Sequence, residues 1–409
     1  MANMIPSQAL YFDDPYCTEF NATITLSTPK PGGGFVVTLD KTYFYPTSGG
    51  QDHDTGTICD TRVIDVIRDE NTWVVKHVVE TGLPTGPASC KIDWEHRLRN
   101  MQHHSGQHLL TQSILRLLGF KTISANINGY TPSTLDIVAD RLLNDSEIEA
   151  VEELANQIIF ENRSIKTYFV AAEDIEKVPL RRPPKVSENI RIVEIDGFDY
   201  SACGGTHCAQ TGAIGIIKIL KSERINNKTR VHFIAGFQAL HQFRNYHNTI
   251  TALTSHLNAN TKDLTTSVIR LIETTKNVQK EYQELLREKL VHEAHALVNL
   301  ADINNGKRFI QCAFENRSAN ELRILADILK AQNEVIALLT SYDGKRLSVI
   351  VTCGHGTQAD AKEILRQILS YVGGNGGGDP QIAQGGGPIA QEDLDRLLDS
   401  GIQAARKLI

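Results

Sequence analysis

The chain has 409 residues, of which 41% are hydrophobic and 22% charged, and its formal net charge is −6 at pH 7. This length predicts two or three domains, and the acidic balance argues against indiscriminate nucleic-acid binding, although it leaves room for local basic patches. No apolar run is long enough for a membrane span, and the N-terminus lacks the basic and apolar regions of a secretory signal, so we expect no membrane association and a cytoplasmic location. The seven scattered cysteines lack framework spacing and are expected to be reduced thiols.

The N-terminal part of the chain is predicted to be a small antiparallel sheet or barrel. Its segments are rich in Val, Ile and Thr, they alternate or run apolar, and Gly and Pro signals separate them: ATITLS, GFVVTLD, TRVIDVI and WVVKHVVE. We expect residues 81–89, TGLPTGPAS, to be turn material that closes this sheet.

The hydrophobic period changes near Asp93 to that of a helix, which Gly119 ends. A strand hairpin follows in TISANI and TLDIVAD, and then a helix over 146–159 with Asn144 or Asp145 as its N-cap. Further strands are expected at KTYFV, IRIVEI, AIGIIKIL and RVHFIAGF. This mixture predicts an α+β domain and not a series of βαβ units.

The last 170 residues divide into a helical segment and an independent α/β domain. Apolar residues recur every three to four positions over 261–298, which predicts a long amphipathic helix or hairpin that packs on a partner chain or on its own domains. Residues 373–387, GGNGGGDPQIAQGGG, hold eight glycines. We expect a loop there, neither helix nor strand, whose backbone turns tightly or approaches something closely.

Two short motifs contain candidate metal ligands. In MQHHSGQHLL (101–110), His104 and His108 are four residues apart and share one helix face, whereas His103 points about 100° away. Ser105 stands where a zinc protease motif would have its glutamate. SACGGTHC (201–208) adds Cys203 and His207 in a glycine turn. Together these four residues form the tetrahedral set of soft and imidazole ligands that Zn²⁺ prefers, while two unrelated motifs remain the alternative.

Cys208 competes with Cys203 as a ligand, but it directly follows His207 and is poorly spaced for the same ion. Two basic stretches could contact RNA or could be solvated loops. Their members are Lys218, Lys221, Arg224, Lys228 and Arg230 in the first, and Arg181, Arg182, Lys185 and Arg191 in the second.

The motifs resemble those of the editing domain of alanyl-tRNA synthetase and its free-standing relatives. The resemblance covers residues 1–240 and rests on YFYPTSGGQDHDTG, IDWEHRLRNMQHHSGQHLL and ACGGTHCAQTGAIGIIKI. The glycine-rich segment 373–387 is similar to that of the DHH-associated domain that ends those synthetases. The resemblance implies a β-barrel-like domain at 1–92, a zinc-containing editing domain at 93–240, a helical connector at 241–300 and a DHH-associated α/β domain at 301–409.

The resemblance also implies a function: hydrolysis of the ester of tRNA for alanine that is mischarged with serine or glycine, with one Zn²⁺ per chain. Because the chain begins at the barrel, we expect deacylation without aminoacylation, and we expect a homodimer through the helical segment and the C-terminal domain. The alternatives are an RNA-binding protein with a purely structural zinc and a deacylase of another mischarged tRNA.

Site roles follow from the same resemblance. Gln51 is expected to bind substrate or orient water. The other expected contacts are Thr47, Gly49, Gly50, Thr122 and Ser124 with the aminoacyl substrate, and Lys218, Lys221, Arg224, Arg230, Gly376, Gly377 and Gly378 with RNA.

Overall fold

A computed structural model describes residues 8–69, 72–184, 190–304 and 306–408. The chain forms two compact units, Met1–Leu253 and Thr254–Ile409, each described separately below. Lys185, a member of the second basic stretch, lies outside the described residues. Among the helices of the described residues, none is long and apolar enough to cross a membrane.

The first unit begins with a closed six-stranded barrel. Of the two predicted alternatives, a small antiparallel sheet or a barrel, the barrel is therefore correct. The strands of this region are β1 Gln8–Ala9, β2 Glu19–Pro29, β3 Phe35–Leu39, β4 Lys41–Thr42, β5 Gly56–Ile58, β6 Thr61–Arg68, β7 Val75–Val79 and β8 Gly86–Ile92. The barrel order is β2-β3-β7-β6-β5-β8, and β1 pairs with β4 outside it.

The prediction of turn material over residues 81–89 is wrong in its second half, where β8 begins. Ala88, Cys90 and Ile92 alternate into the barrel core, and Pro87 occupies a register position opposite Thr23. The inward alternation and the pairing of β8 with both β2 and β5 outweigh the local Gly and Pro signals.

An α+β region follows the barrel, as predicted. Its elements are α1 Trp94–Leu118, β9 Thr122–Asn126, β10 Ser133–Ile137, α2 Asp145–Phe160, β11 Ile165–Val170, β12 Ile190–Ile195, β13 Asp199–Ala202, β14 Ile217–Ile225, β15 Lys228–Ala235 and α3 Gly236–Leu257. The sheets run β14-β15-β10-β9 and β11-β12-β13. Asp93 caps the N-terminus of α1, Gly119 ends it at φ 73°, and Asn144 caps α2 in a capping box with Glu147.

A fully buried ion pair fastens α1 to the barrel. The Nε and Nη2 of Arg97 donate to Asp54 at 2.9 Å and 2.5 Å, and both side chains are wholly inaccessible to solvent. The remaining donors of Arg97 reach the carbonyl oxygens of Pro15 and Tyr43, while Asp54 also accepts from the backbone N–H of Tyr45. The pair therefore joins the first turn of α1 to three segments of the barrel domain.

The second unit contains a six-stranded sheet with helices. Its elements are α4 Leu264–Leu300, β16 Asp302–Asn304, β17 Lys307–Glu315, α5 Ala319–Lys330, β18 Val335–Tyr342, β19 Arg346–Cys353, α6 Ala361–Val372, β20 Asn375–Gly378, β21 Ile382–Pro388 and α7 Gln391–Ala405. The strand order is β16-β17-β18-β19-β21-β20. The expected α/β domain is thus present.

The prediction that residues 373–387 form only a loop is wrong, because they contain β20 and β21. A Cβ on Gly376 would lie 2.7 Å from the Cα of Gly385, and one on Gly386 would lie 2.0 Å from the carbonyl oxygen of Leu347. Glycine is therefore required by the close approach of neighbouring strands. The backbone does approach another part of the chain closely, as expected, but the two parts are paired strands.

Helix α4 has a buried part and an exposed apolar part. Leu286, Leu290 and Ala294 enter the core with α5 and the sheet. Earlier apolar side chains recur at heptad spacing and stay exposed: Val268 (37%), Leu271 (53%), Val278 (58%), Tyr282 (56%) and Leu285 (64%). The C-terminal part thus packs on its own domain, and a partner for the exposed stripe stays a prediction.

Replacing Arg97 with alanine leaves the Asp54 carboxylate buried without its cation. We expect the free energy of unfolding of the first unit to fall by about 3–5 kcal/mol. Both tryptophans of the chain, Trp73 and Trp94, lie in this unit, so urea titration followed by their fluorescence reports on it directly.

Arg62→Ala is the matched control, because Arg62 and Glu80 form an exposed barrel pair at 4.0 Å. Its loss should change the unfolding free energy by less than about 1 kcal/mol. Equal effects of the two substitutions would contradict the anchoring role of Arg97.

Candidate metal centre

Helix α1 and the loop after β13 bring four candidate ligands to one point. His104 and His108 stand one turn apart on α1, and Cys203 and His207 come from the CGGTH loop. Their potential ligand atoms all lie within 4.8 Å of one another. The three imidazoles are 2–3% exposed, and the Cys203 sulfur lies 3.3 Å from Nε2 of His104. The four predicted ligands are therefore assembled in the fold.

The outer nitrogen of each imidazole has its own polar neighbour. The Nδ1 of His104 donates to Oε1 of Gln51 at 2.7 Å, and the Nδ1 of His108 donates to Asp199 at 3.0 Å. The Nδ1 of His207 lies 3.3 Å from the Ser105 hydroxyl. These contacts fix the rings so that each Nε2 is left for the shared point, as is usual for histidines that bind a metal.

Two observations test whether the residues fit a zinc ion. The Nε2 of His207 is buried, and it has no hydrogen-bond partner among the described residues. The donor set is three imidazoles and one thiol, which suits Zn²⁺ and does not suit Mg²⁺ or Ca²⁺. A metal ligand needs a nitrogen that is not used in a hydrogen bond and that lies close to the other donors. The Nε2 of His207 meets this condition, so the four residues fit a zinc ion.

The protonation states of Cys203 and His207 also favour metal binding. Burial alone would raise the pKa of the Cys203 thiol, but the adjacent imidazoles of His104 and His108 hold it well below its usual value. Burial and the neighbouring His104 lower the pKa of His207 to about 3. A thiolate and a neutral imidazole are the forms that bind a metal.

Asp199 was missed as a functional residue in the sequence. Burial opposes its ionisation, yet the His108 hydrogen bond and Arg181, whose Nη1 lies 3.3 Å from the carboxylate, hold its pKa below the usual value. The alternation of a β-strand could have identified Asp199 in the sequence. Asp199, Ser201 and Cys203 occupy alternate positions at the end of β13 and the start of the following loop, so their side chains face the same side.

His103 and Cys208 lie outside the cluster. The Nδ1 of His103 donates to the Ser133 hydroxyl, its Nε2 accepts from the N–H of Ala235, and burial lowers its pKa to about 4. Cys208 belongs to the hydrophobic core, where burial raises its pKa to about 12. Both residues therefore have structural surroundings of their own.

Gln51 connects the two halves of the cluster. Besides its bond to His104, Oε1 accepts from the N–H of Thr206, and its Nε2 donates to the Thr206 hydroxyl at 2.8 Å. The preceding Gly50 has φ 87°, and an added Cβ would lie 2.4 Å from the carbonyl oxygen of Ala125. The TSGGQ turn thus packs on the α+β region and inserts the Gln51 amide behind His104.

The other expected substrate residues have local partners. Thr47 is exposed and bonds to His53, Gly49 is exposed at φ 59°, and Gly50 accepts from the N–H of Ile127. Thr122 donates to Thr111, and the exposed Ser124 donates to Asp136. None of these contacts involves the four clustered side chains, so their roles stay predictions.

The expected RNA-binding residues are distributed over two regions. On the β14–β15 hairpin, Lys218 pairs with Glu152, Lys221 with Glu223, Arg224 with the carbonyl of Ala139, and both Lys228 and Arg230 with Asp136. Gly376, Gly377 and Gly378 lie in the edge strand β20 and are exposed. Because the basic side chains already have partners, an RNA contact would compete with them.

Comparison with known families matches two parts of the chain. Residues 190–230 match the family described as the threonyl and alanyl tRNA synthetase second additional domain, and residues 306–407 match the DHHA1 domain. The first match includes Asp199, Cys203 and His207. Two parts of the chain are therefore similar to these two domain families.

Nearly the whole chain is also similar to proteins named alanine–tRNA ligase. The ligase from Archaeoglobus fulgidus is 33% identical over 404 residues, which cover 95% of this chain and 43% of that protein. The ligase from Korarchaeum cryptofilum is 29% identical, over 96% of this chain and 44% of that protein. The chain thus spans less than half the length of these relatives. The solved structure of the C-Ala domain of Aquifex aeolicus alanyl-tRNA synthetase aligns with 26% of this chain, and the alignment covers 96% of that domain. The sequence identity is 23% and the TM-score is 0.24.

Cys203→Ala removes the thiolate from the donor set, and we expect the variant to lose most of its bound zinc. Cys208→Ala should keep about one zinc per chain, because the Cys208 thiol is in the hydrophobic core. Metal analysis after purification in zinc measures both variants, and equal losses would refute the assignment of Cys203.

Proposed function

We propose that this protein hydrolyses the ester of tRNA mischarged with serine, at the alanine acceptor, with one Zn²⁺ held by His104, His108, Cys203 and His207. The observation that carries the proposal is the buried four-donor cluster with its oriented imidazoles, next to a TSGGQ turn that contacts both halves of the cluster. The alanine acceptor is inferred from the names of the relatives, and glycine is the second candidate for the mischarged amino acid.

The chemistry demanded of such a site is modest, because an aminoacyl ester is already activated. Bound Zn²⁺ supplies a Lewis acid for a carbonyl oxygen. The protein's own part is to hold the imidazole rings with Gln51, Ser105 and Asp199. Within this proposal Gln51 is a positioning residue, because its amide contacts His104 and Thr206.

Seryl-, glycyl- and alanyl-tRNA for alanine, incubated separately with the zinc-loaded protein, test the proposal. We expect release of serine well above the spontaneous rate, slower or no release of alanine, and loss of activity in Cys203→Ala. Release of serine at the spontaneous rate would overturn the deacylase function. A panel of other seryl, glycyl and threonyl tRNAs determines the acceptor.

The alternative is an RNA-binding protein with a structural zinc. One observation favours it: four protein donors complete a tetrahedral shell, which is typical of structural zinc. In that case chelation would unfold the first unit, as reported by Trp73 and Trp94, and no ester would be cleaved faster than in buffer. The contact of tRNA with the hairpin and with β20, the homodimer and the cytoplasmic location stay predictions; sedimentation tests the dimer.

A further inference from the structure

Besides the Nε2 of His207, the Oδ1 of Asp199 and the Nη1 of Arg181, two further buried polar groups of the first unit lack a hydrogen-bond partner among the described residues. They are the hydroxyl of Tyr11, a residue that is 1% exposed, and the Nη2 of Arg191, a residue that is 5% exposed. Leaving a buried polar group unpaired costs about 1–3 kcal/mol, and folded proteins retain few such groups. Two of them in one place suggest a function that offsets this cost.

Arg191 lies against the metal-binding loop. Its Nη1 donates to the carbonyl oxygen of Cys203 at 3.0 Å and to that of Gly205 at 2.8 Å. Gly205 in turn packs on His104 so tightly that an added Cβ would lie 2.1 Å from the ring carbon Cε1. The guanidinium is thus separated from the ligand cluster by no more than the thickness of this loop.

Tyr11 reaches the same place from the barrel domain. Its ring lies 4.5 Å from that of Phe12 and meets the Tyr45 ring edge-on at 5.3 Å, and the Arg191 guanidinium lies 5.3 Å from the Phe12 ring. Tyr11 and Arg191 therefore both pack against Phe12. Burial raises the pKa of Tyr11, and the positive charges of Arg68 and Arg191 oppose this rise.

The two groups are complementary to a small hydroxyl group. The free Nη2 of Arg191 can only donate, whereas the Tyr11 hydroxyl can both donate and accept. A serine side chain offers an oxygen that accepts from Arg191 and a hydrogen that Tyr11 accepts. A methyl group offers neither, and it would leave both groups unpaired in a dry site, which is the condition for strong rejection of an analogue.

We propose that Tyr11 and Arg191 recognise the side-chain hydroxyl of the seryl ester and thereby distinguish it from the alanyl ester. This inference rests on the proposed deacylase function and adds the residues that select its substrate. Tyr11 precedes the barrel strands and Arg191 lies on β12, so the proposed recognition requires both parts of the first unit.

Tyr11→Phe is the decisive variant, since it removes one oxygen that has no hydrogen-bond partner among the described residues. We expect the ratio of kcat/KM for the seryl over the alanyl ester to fall about tenfold to a hundredfold, through slower serine release. The stability of the first unit, read from tryptophan fluorescence in urea, should be unchanged or higher.

Tyr45→Phe is the matched control. Its hydroxyl is also buried but donates to the carbonyl oxygen of Ser48 at 3.1 Å, so its removal should change stability and leave the seryl-to-alanyl ratio within about twofold. A ratio unchanged in Tyr11→Phe, or lowered equally in both variants, would overturn the proposal.

Binding separates this inference from the proposed function. The 3′-amide analogues of seryl- and alanyl-adenosine cannot be hydrolysed as esters, so their affinities are measurable by calorimetry even if no ester is cleaved. We expect tighter binding of the seryl amide by the zinc-loaded protein and equal binding of both amides by Tyr11→Phe. Equal binding by the unmodified protein would refute the recognition, whereas absence of ester cleavage alone would refute only the deacylase.

Discussion

Three imidazoles and one thiolate lie with their ligand atoms within 4.8 Å of one another in the interior of the first unit, and the surrounding structure is organised by this constraint. Each ring has one nitrogen fixed by a neighbour from a different element: Gln51 from the barrel domain, Asp199 from β13 and Ser105 from α1 itself. His104, Ser105 and His108 are buried on α1 and form this network, which a purely apolar helix could not provide.

The barrel is part of the site and not a separate module. The buried pair of Asp54 and Arg97 anchors the start of α1, and the TSGGQ turn inserts Gln51 between His104 and Thr206. Separating Asp54 from Arg97 would leave an uncompensated charge in the interior, so this pair fixes the position of α1 relative to the barrel. The histidines lie two turns further along the same helix, and their position relative to the barrel is fixed with it.

The buried charges around the cluster are balanced. The carboxylate of Asp199 and the thiolate of Cys203 carry negative charge, and the guanidiniums of Arg181 and Arg191 carry positive charge close to them. A divalent cation added to this set would leave the site net positive, and within the proposed function this charge would favour an oxygen that gains negative charge. The same balance limits the cost of burying the thiolate.

The sequence by itself identified the four candidate ligands, the α+β class and the limits of α1, because each depends on local spacing, on a cap such as Asp93 or on Gly119. The sequence did not predict β8, because Gly86 and Pro87 are typical of a turn and the strand is stabilised by pairing on both sides. It also did not predict the glycine strands β20 and β21, which depend on close contact with β19 and α6. Only the tertiary structure placed the Gln51 amide beside His104. That contact joins residues 53 positions apart, and no local pattern encodes a distance through space.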